Sequence, residues 1–348
     1  MKKFSYAFLE ENKIPGNLLN VLTSVYTMKE LNVGRKSQYE KIFTELEKIA
    51  KVQSVKSSNA IEGILTTDER INEIVNRNSA PLNHNEQEIA GYRDVLNLIH
   101  NHYMDLEVNE ENILSFHEML LKTAKPEVAG KYKTNDNVIM EIRSDGTKLV
   151  RFKPISAKET PSAMNQLVLS YMEARDNLNI NQLLLIPCFI LDFLCIHPFA
   201  DGNGRMSRLL TLLLLYKAGF DAGKYISFEE QINKQKGYYY ESLKKSSINW
   251  DKNNNDYFPF VENFLVTLFQ CYKELDNRFA TVNSKKINKA SRIEATVLNS
   301  VLPISKKEIT QILPDVSPTT IEAVLTRLVK EEKIRKVGEG IKTSYLRK

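Results

Sequence analysis

Cysteine is scarce in this chain: three residues in 348, at positions 188, 195 and 271. The number is odd and the spacing wide, which argues against a disulfide framework, and no Cys/His cluster has zinc spacing. Cys188 and Cys195 sit in an apolar run and read as buried free thiols. No uninterrupted apolar run is long enough to span a bilayer. The opening residues, MKKFSYAFLEENK, turn acidic before any long apolar stretch, which makes a poor signal peptide. No Gly-x-x-x-x-Gly-Lys-(Ser/Thr) run occurs, so a Walker phosphate loop is excluded. The composition that remains is that of a soluble globular protein, long enough for two or three domains. The expectation is a reduced, cytoplasmic chain with no membrane partner.

Helical periodicity dominates. Amphipathic stretches run over Gln38 to Lys56, Asn85 to His102, Glu110 to Lys122, Ser162 to Asn177 and Asn181 to Cys195. Others cover Arg205 to Lys217, Glu229 to Ser246 and Tyr257 to Phe279. One segment departs from the pattern. Val138 to Phe152 reads as two β-prone runs around Asp145-Gly146, a good hairpin turn signal. A lone hairpin buries little apolar surface itself, so it is either surface decoration or a functional flap.

The C-terminal part differs in charge. Residues 286–348 hold 13 Lys/Arg and 7 Asp/Glu, an excess of +6 in a chain whose total is +5. Helices are expected over Arg292–Leu302, Ser305–Leu313 and Ser317–Glu332, with Ser305 and Ser317 as N-caps and Pro318 in a first turn. The tail reads as a two-stranded ribbon turning at Gly338-Glu339-Gly340. Three helices followed by a basic ribbon resemble a winged helix-turn-helix. Asn283 to Asn288 is the expected linker. So small a charge excess favours packing on the rest of the chain or on a protein, with DNA binding as the alternative.

The densest chemistry lies in His197-Pro-Phe-Ala-Asp-Gly-Asn-Gly-Arg-Met-Ser-Arg208, followed at once by an apolar helix. Glycines let backbone N–H groups approach an anion, and a helix start adds its own N–H groups and dipole. Arginine forks suit phosphate oxygens. Asp201 could hold Mg²⁺, which usually takes one or two carboxylates plus substrate phosphates. His197 can act as a general base near neutral pH. These residues together read as a nucleotide polyphosphate site with a base beside it.

The stretch resembles the signature of the Fic family, His-x-Phe-x-(Asp/Glu)-Gly-Asn-Gly-Arg-x-x-Arg, at every fixed position. The resemblance implies a mainly α fold: a Fic helical bundle spanning 38–280 with a β-hairpin flap at about 138–152. An N-terminal arm (1–37) would precede it and the winged helix-like domain (286–348) would follow. It also implies transfer of AMP from ATP to a protein hydroxyl, with His197 as base and Asp201 carrying Mg²⁺ or Mn²⁺. Gly202, Asn203, Gly204 and Arg205 would cradle phosphates, and Arg208 would clamp the γ-phosphate. Phe199 would anchor the loop and Pro198 constrain it. Tyr239 and Tyr240 are similar to paired tyrosines that flank adenine in Fic proteins, though aromatic pairs on a helix also simply pack. Where some members carry an asparagine seven residues further on, this chain has Ser247.

A second motif, Ser58-Asn-Ala-Ile-Glu62-Gly63, matches the family's inhibitory pattern (Ser/Thr)-x-x-x-Glu-(Gly/Asn). Read alone, Gly63 is also an ordinary helix stop. With the transfer motif present, the resemblance implies an inhibitory helix over about 38–63, with Glu62 pairing bidentately with Arg208 and Ser58 holding the helix. The implied partners are ATP, a target protein docked on the flap by strand addition, and the chain itself as substrate or in a homodimer. Two alternatives stay open: another transfer or AMP removal on the same fold, and a DNA-binding regulator with a nucleotide-sensing core.

Overall fold

The stretch from Leu183 to Ile196 is buried along its whole length, and Arg205 to Tyr216 likewise. Helices buried on every face belong at the centre of a bundle, and these two are its axis. In the computed structural model, residues 2–11, 14–142, 147–283, 288–298, 300, 303–338, 340 and 343–348 are described. Fifteen helices are found among them. The first six are α1 (Phe8–Glu11), α2 (Gly16–Gln38), α3 (Glu40–Ile61), α4 (Asp68–Arg77), α5 (His84–His102) and α6 (Glu110–Leu121). A hairpin follows, β1 (Ile139–Ile142) and β2 (Lys148–Phe152). Next come α7 (Thr160–Arg175), α8 (Gln182–Ile196), α9 (Asn203–Lys217), α10 (Phe228–Lys234), α11 (Lys236–Ser246) and α12 (Phe258–Asn283). The chain closes with α13 (Lys289–Leu298), β3 (Ile304–Ser305), α14 (Lys306–Ile312), α15 (Pro318–Lys330), β4 (Ile334–Val337) and β5 (Ser344–Arg347).

Around the α8–α9 axis, α7 and α12 pack on α8 while α5 packs on α9. The helix carrying Ser58, α3, lies against α5, α9 and α10. It ends where the sequence predicts: Glu62 is its C-cap, and Gly63 follows with φ at 79°. The break before it, at Tyr39, separates α3 from α2, a helix that the periodicity did not reveal. The stretch expected as an arm, 1–37, is packed onto the bundle through its described residues. The α2 helix runs along α12, and the Tyr6 hydroxyl donates to Asp192 at 2.9 Å. Trp250 and Tyr257 donate to the same carboxylate at 2.6 and 2.8 Å, so the buried Asp192 ties three segments to α8.

Two other expectations change. The single helix expected over Glu229–Ser246 is two helices, broken at Gln235 with φ −121° and ψ 32°. The C-terminal ribbon is a three-stranded antiparallel sheet in the order β3-β5-β4, because Ile304–Ser305 pairs with Ser344–Tyr345. Ser305 makes a full capping box with Glu308, and Ser317 accepts from the Thr320 N–H with Pro318 opening the helix. The α14 helix of this module rests on α3. The hairpin turn at Asp145-Gly146, the ribbon turn at Glu339 and the linker residues 284–287 lie outside the described residues. Among the described residues no helix is long and apolar enough to cross a membrane. The three cysteines are buried free thiols.

Candidate active site

The loop between α8 and α9 is built by two left-handed residues. His197 closes α8 as its C-cap at φ 51°, with its N–H on the Phe193 carbonyl at 3.0 Å. Gly202 opens α9 at φ 80°, a conformation in which any Cβ is strained. Between them the loop is locked by Asn203. Its Oδ1 accepts from the Phe199 N–H at 2.9 Å and its Nδ2 donates to the Phe199 carbonyl at 2.8 Å. That side chain is buried and holds the loop. Phe199 is fully buried, as an anchor should be. The Pro198 carbonyl accepts from the Lys133 N–H at 2.9 Å.

His197 is pushed down to about 4, first by burial and then by the nearby Lys133 charge; Glu62 and Asp201 oppose the shift. The imidazole is therefore neutral at physiological pH and able to accept a proton. Lys133 is itself lowered to about 8 by burial. Its Nζ donates to the Ile196 carbonyl at 3.1 Å and to Asn137 Oδ1 at 2.9 Å, which fixes the backbone just before His197.

Asp201 Oδ1 accepts from the Gly202 N–H at 2.6 Å, and Oδ2 pairs with Lys125. Burial alone would raise its pKa, but Lys125, Arg205 and the Gly202 N–H together hold it below the ordinary carboxylate value. Arg205 is buried and paired with Glu88 at 2.6 Å and with Asp201 at 3.7 Å. Its Nε and Nη1 have no hydrogen-bond partner among the described residues. Among the described residues no three His, Cys, Asp or Glu side chains converge into a metal cage. A Mg²⁺ that leans on phosphate oxygens needs no such cage, and the partly exposed Asp201 carboxylate suits it once Lys125 yields.

Arg208 meets the Ser58–Gly63 motif directly. Its Nη2 donates to Glu62 Oε1 at 2.8 Å and to the Ser58 carbonyl at 3.0 Å, while Nε donates to Ser58 Oγ at 2.8 Å. The bridge is therefore single-toothed, not bidentate as the sequence suggested; Ser58 accepts from Nε and shares Nη2 with Glu62. Glu62 lies over the first turn of α9. A Cβ at Gly204 would stand 2.2 Å from Glu62 Oε1, so a side chain there would push the carboxylate aside.

Glu62, His197, Gly204, Arg208, Tyr239 and Tyr240 all line one cleft of about 520 Å³. Asp201, Gly202, Asn203 and Arg205 do not line it. The two tyrosine rings meet edge-on with centroids 5.4 Å apart. Tyr239 is buried and also packs on Phe260, whereas Tyr240 is half-buried, so the pair serves both core and cleft. Ser247 is a turn residue after α11 whose hydroxyl donates to the Lys244 carbonyl. A larger cavity, about 630 Å³, lies between α3–α5 and residues 300–312, away from this chemistry.

Residues 107–215 match the Fic/DOC family. This segment is a Fic/DOC domain. The chain is 27% identical over 221 residues to protein adenylyltransferase Fic of Nematostella vectensis, covering 62% of this chain and 46% of that one. It is 28% identical over 114 residues to protein adenylyltransferase fic-1 of Caenorhabditis elegans, covering 33% and 20%. It thus spans less than half the length of these two relatives. The fold is similar to that of a Fic family protein from Desulfovibrio desulfuricans G20, with TM-score 0.61, 21% identity and 97% of both chains covered. It is also similar to Fic-1 from Caenorhabditis elegans, at TM-score 0.56 and 20% identity, over 74% of this chain and 71% of that one. The helical Fic fold is therefore the fold of this protein.

Proposed function

We propose that this protein is an autoinhibited protein adenylyltransferase, transferring AMP from ATP to a hydroxyl side chain of a target protein or of itself. The observation that carries the reading is the Arg208 fork held by Glu62 and Ser58 beside a neutral His197 in a single cleft. The Fic domain and its adenylyltransferase-named relatives support the reaction class.

The chemistry follows from the residues. A side-chain hydroxyl is a poor nucleophile at pH 7. His197 takes its proton as the oxygen attacks the α-phosphorus, and pyrophosphate leaves. The first-turn N–H groups of α9 meet phosphate charge at the positive end of a helix. Arg208, once released, binds the γ-phosphate and aligns the chain for in-line attack. Asp201 would hold Mg²⁺ or Mn²⁺, which neutralises phosphate charge when bound. Tyr239 and Tyr240 would take the adenine, and the β1–β2 hairpin would dock the target strand. With Glu62 in place Arg208 is occupied, so ATP lies in a non-productive pose.

A second reading is favoured by one feature. Glu62 is about one-third exposed in the cleft that also holds His197, where a carboxylate could position a water for removal of AMP. Transfer of label from α-labelled and from γ-labelled ATP into protein, for the native chain and Glu62→Gly, separates these readings. AMP transfer moves only the α-label, and AMP removal releases it from premodified target. Transfer of the γ-label would place the chain among phosphate transferases instead. The C-terminal module, whose sequence resembles a winged helix, is assigned to docking within the chain or to a protein, in keeping with α14 on α3.

A further inference from the structure

The flap hairpin is not regular. Ile139 pairs with Phe152 and Met140 pairs with Val150, so Arg151 is an extra residue with no partner across the strand. A β-bulge of this kind bends the strand and re-aims a side chain, and bulges recur beside active sites. Here the neighbours show the effect. Val150 and Leu149 are exposed, while Phe152 turns back to meet the Trp250 ring edge-on at 6.2 Å. Arg151 lines the same cleft as Glu62, His197, Arg208 and Tyr240.

The charge state of that cleft gives the bulge a purpose. Of the two arginines in the α9 motif, Arg205 is buried on Glu88 and Arg208 is held by Glu62 and Ser58. Among the described residues no carboxylate pairs with Arg151, and its Nε is buried without a hydrogen-bond partner. A guanidinium donor buried without an acceptor is costly, and is explained when a ligand supplies the acceptor. The fork of an arginine suits the oxygens of a phosphate chain.

We propose that Arg151 is a nucleotide-binding residue, donating from the flap to the phosphate chain of the ATP that the α9 motif holds from the opposite side. This rests on the reading of the cleft as an ATP site. It gives the flap a second task, because a target strand that settles on the hairpin also settles the strand carrying Arg151.

The test is calorimetric binding of ATP, AMP and adenosine to the full chain carrying Glu62→Gly, with and without Arg151→Ala or Arg151→Lys. Arg151→Ala is expected to weaken ATP by about tenfold or more, the loss of one charge-assisted contact, and to leave adenosine within about twofold. Arg151→Lys should recover part of the loss. Unchanged ATP affinity in Arg151→Ala overturns the assignment, and so does a raised KM for the target protein alone. If the Glu62→Gly chain itself binds no ATP, the nucleotide reading of the cleft fails and Arg151 fails with it. Melting curves of each variant separate a lost contact from a lost fold.

Discussion

The His117 imidazole lies flat on the Phe199 ring, with centroids 3.7 Å apart and planes within 5°. Its Nδ1 accepts from the Gly130 N–H at 3.1 Å, which leaves Nε2 to donate to the Asp201 carbonyl at 3.0 Å. One neutral ring thus fastens both the aromatic anchor and the backbone of the motif loop at Asp201 to α6. Burial lowers it to about 4, so the donor-acceptor pattern persists at any ordinary pH.

His117→Ala should therefore destabilise the domain by about 2–4 kcal/mol, from a cavity under Phe199 and two unpaired backbone groups. Urea unfolding measures this directly. A change within about 0.5 kcal/mol would show that the loop stands without the ring.

Acid should weaken the fold through the same chemistry. His117 and His197 are both held at about 4 against an ordinary value of 6.5. In the unfolded chain they protonate near 6.5, while in the folded chain they stay neutral down to about 4. The unfolded state thus binds more protons between these values, and stability falls as pH is lowered through that window. Above about 6.5 the pair contributes no slope. Melting temperature measured from pH 7.5 to 4.5 should fall, and the fall should be shallower in His197→Asn. A melting temperature that rises on acidification would contradict the shifts.

His197→Ala should cut AMP transfer by at least about a hundredfold while ATP affinity stays within about twofold, since the ring acts on the nucleophile. Equilibrium binding and label transfer on the same preparation give both values. Near-native turnover would remove His197 from the reaction.

Divalent metal should be required. Asp201→Ala, or EDTA with the native residue, should reduce transfer by at least about a hundredfold, because phosphate charge would go unneutralised in a site where such terms are large. Full activity in EDTA would leave Asp201 with only its Lys125 and Gly202 contacts.

The motif from His197 to Arg208 was legible because its chemistry is local: the turn, the helix start and the side chains lie within twelve residues. Glu62 was legible because a second short pattern stood upstream. The supports were not. Glu88, His117, Lys125 and Lys133 come from α5, α6 and the following loop, and only the tertiary fold brings them to Asp201, Arg205 and His197. Nothing in their spacing marks a lysine that will be buried under a histidine. The α2 helix escaped because its apolar positions are spread over several faces: Leu18, Leu22 and Val25 are covered, Leu19, Leu31 and Val33 are exposed, and the α12 surface determines which are covered. The α4 helix carried its signals, with Thr67 as N-cap, acids in the first turn and Asn78 in a left-handed C-cap. It is short, and the periodicity reading passed over it. The bulge at Arg151 depends on strand pairing that alternation in one strand does not reveal.

In the proposed autoinhibition, Glu62 keeps Arg208 from ATP. The two residues are 146 positions apart and meet only because α3 packs on α9. Breaking so well-held a pair, with Arg208 buried and Glu62 partly exposed, is worth at least about 1.4 kcal/mol, or tenfold in the active population. The direct measurement is the initial rate of AMP incorporation from α-labelled ATP into a competent target, for native protein, Glu62→Gly, and Glu62→Gly with Arg208→Ala. The rate should rise by at least about tenfold in the first variant, with ATP still bound, and should vanish in the second. Equal rates in the native chain and Glu62→Gly would mean that Ser58 to Gly63 is only the end of a helix.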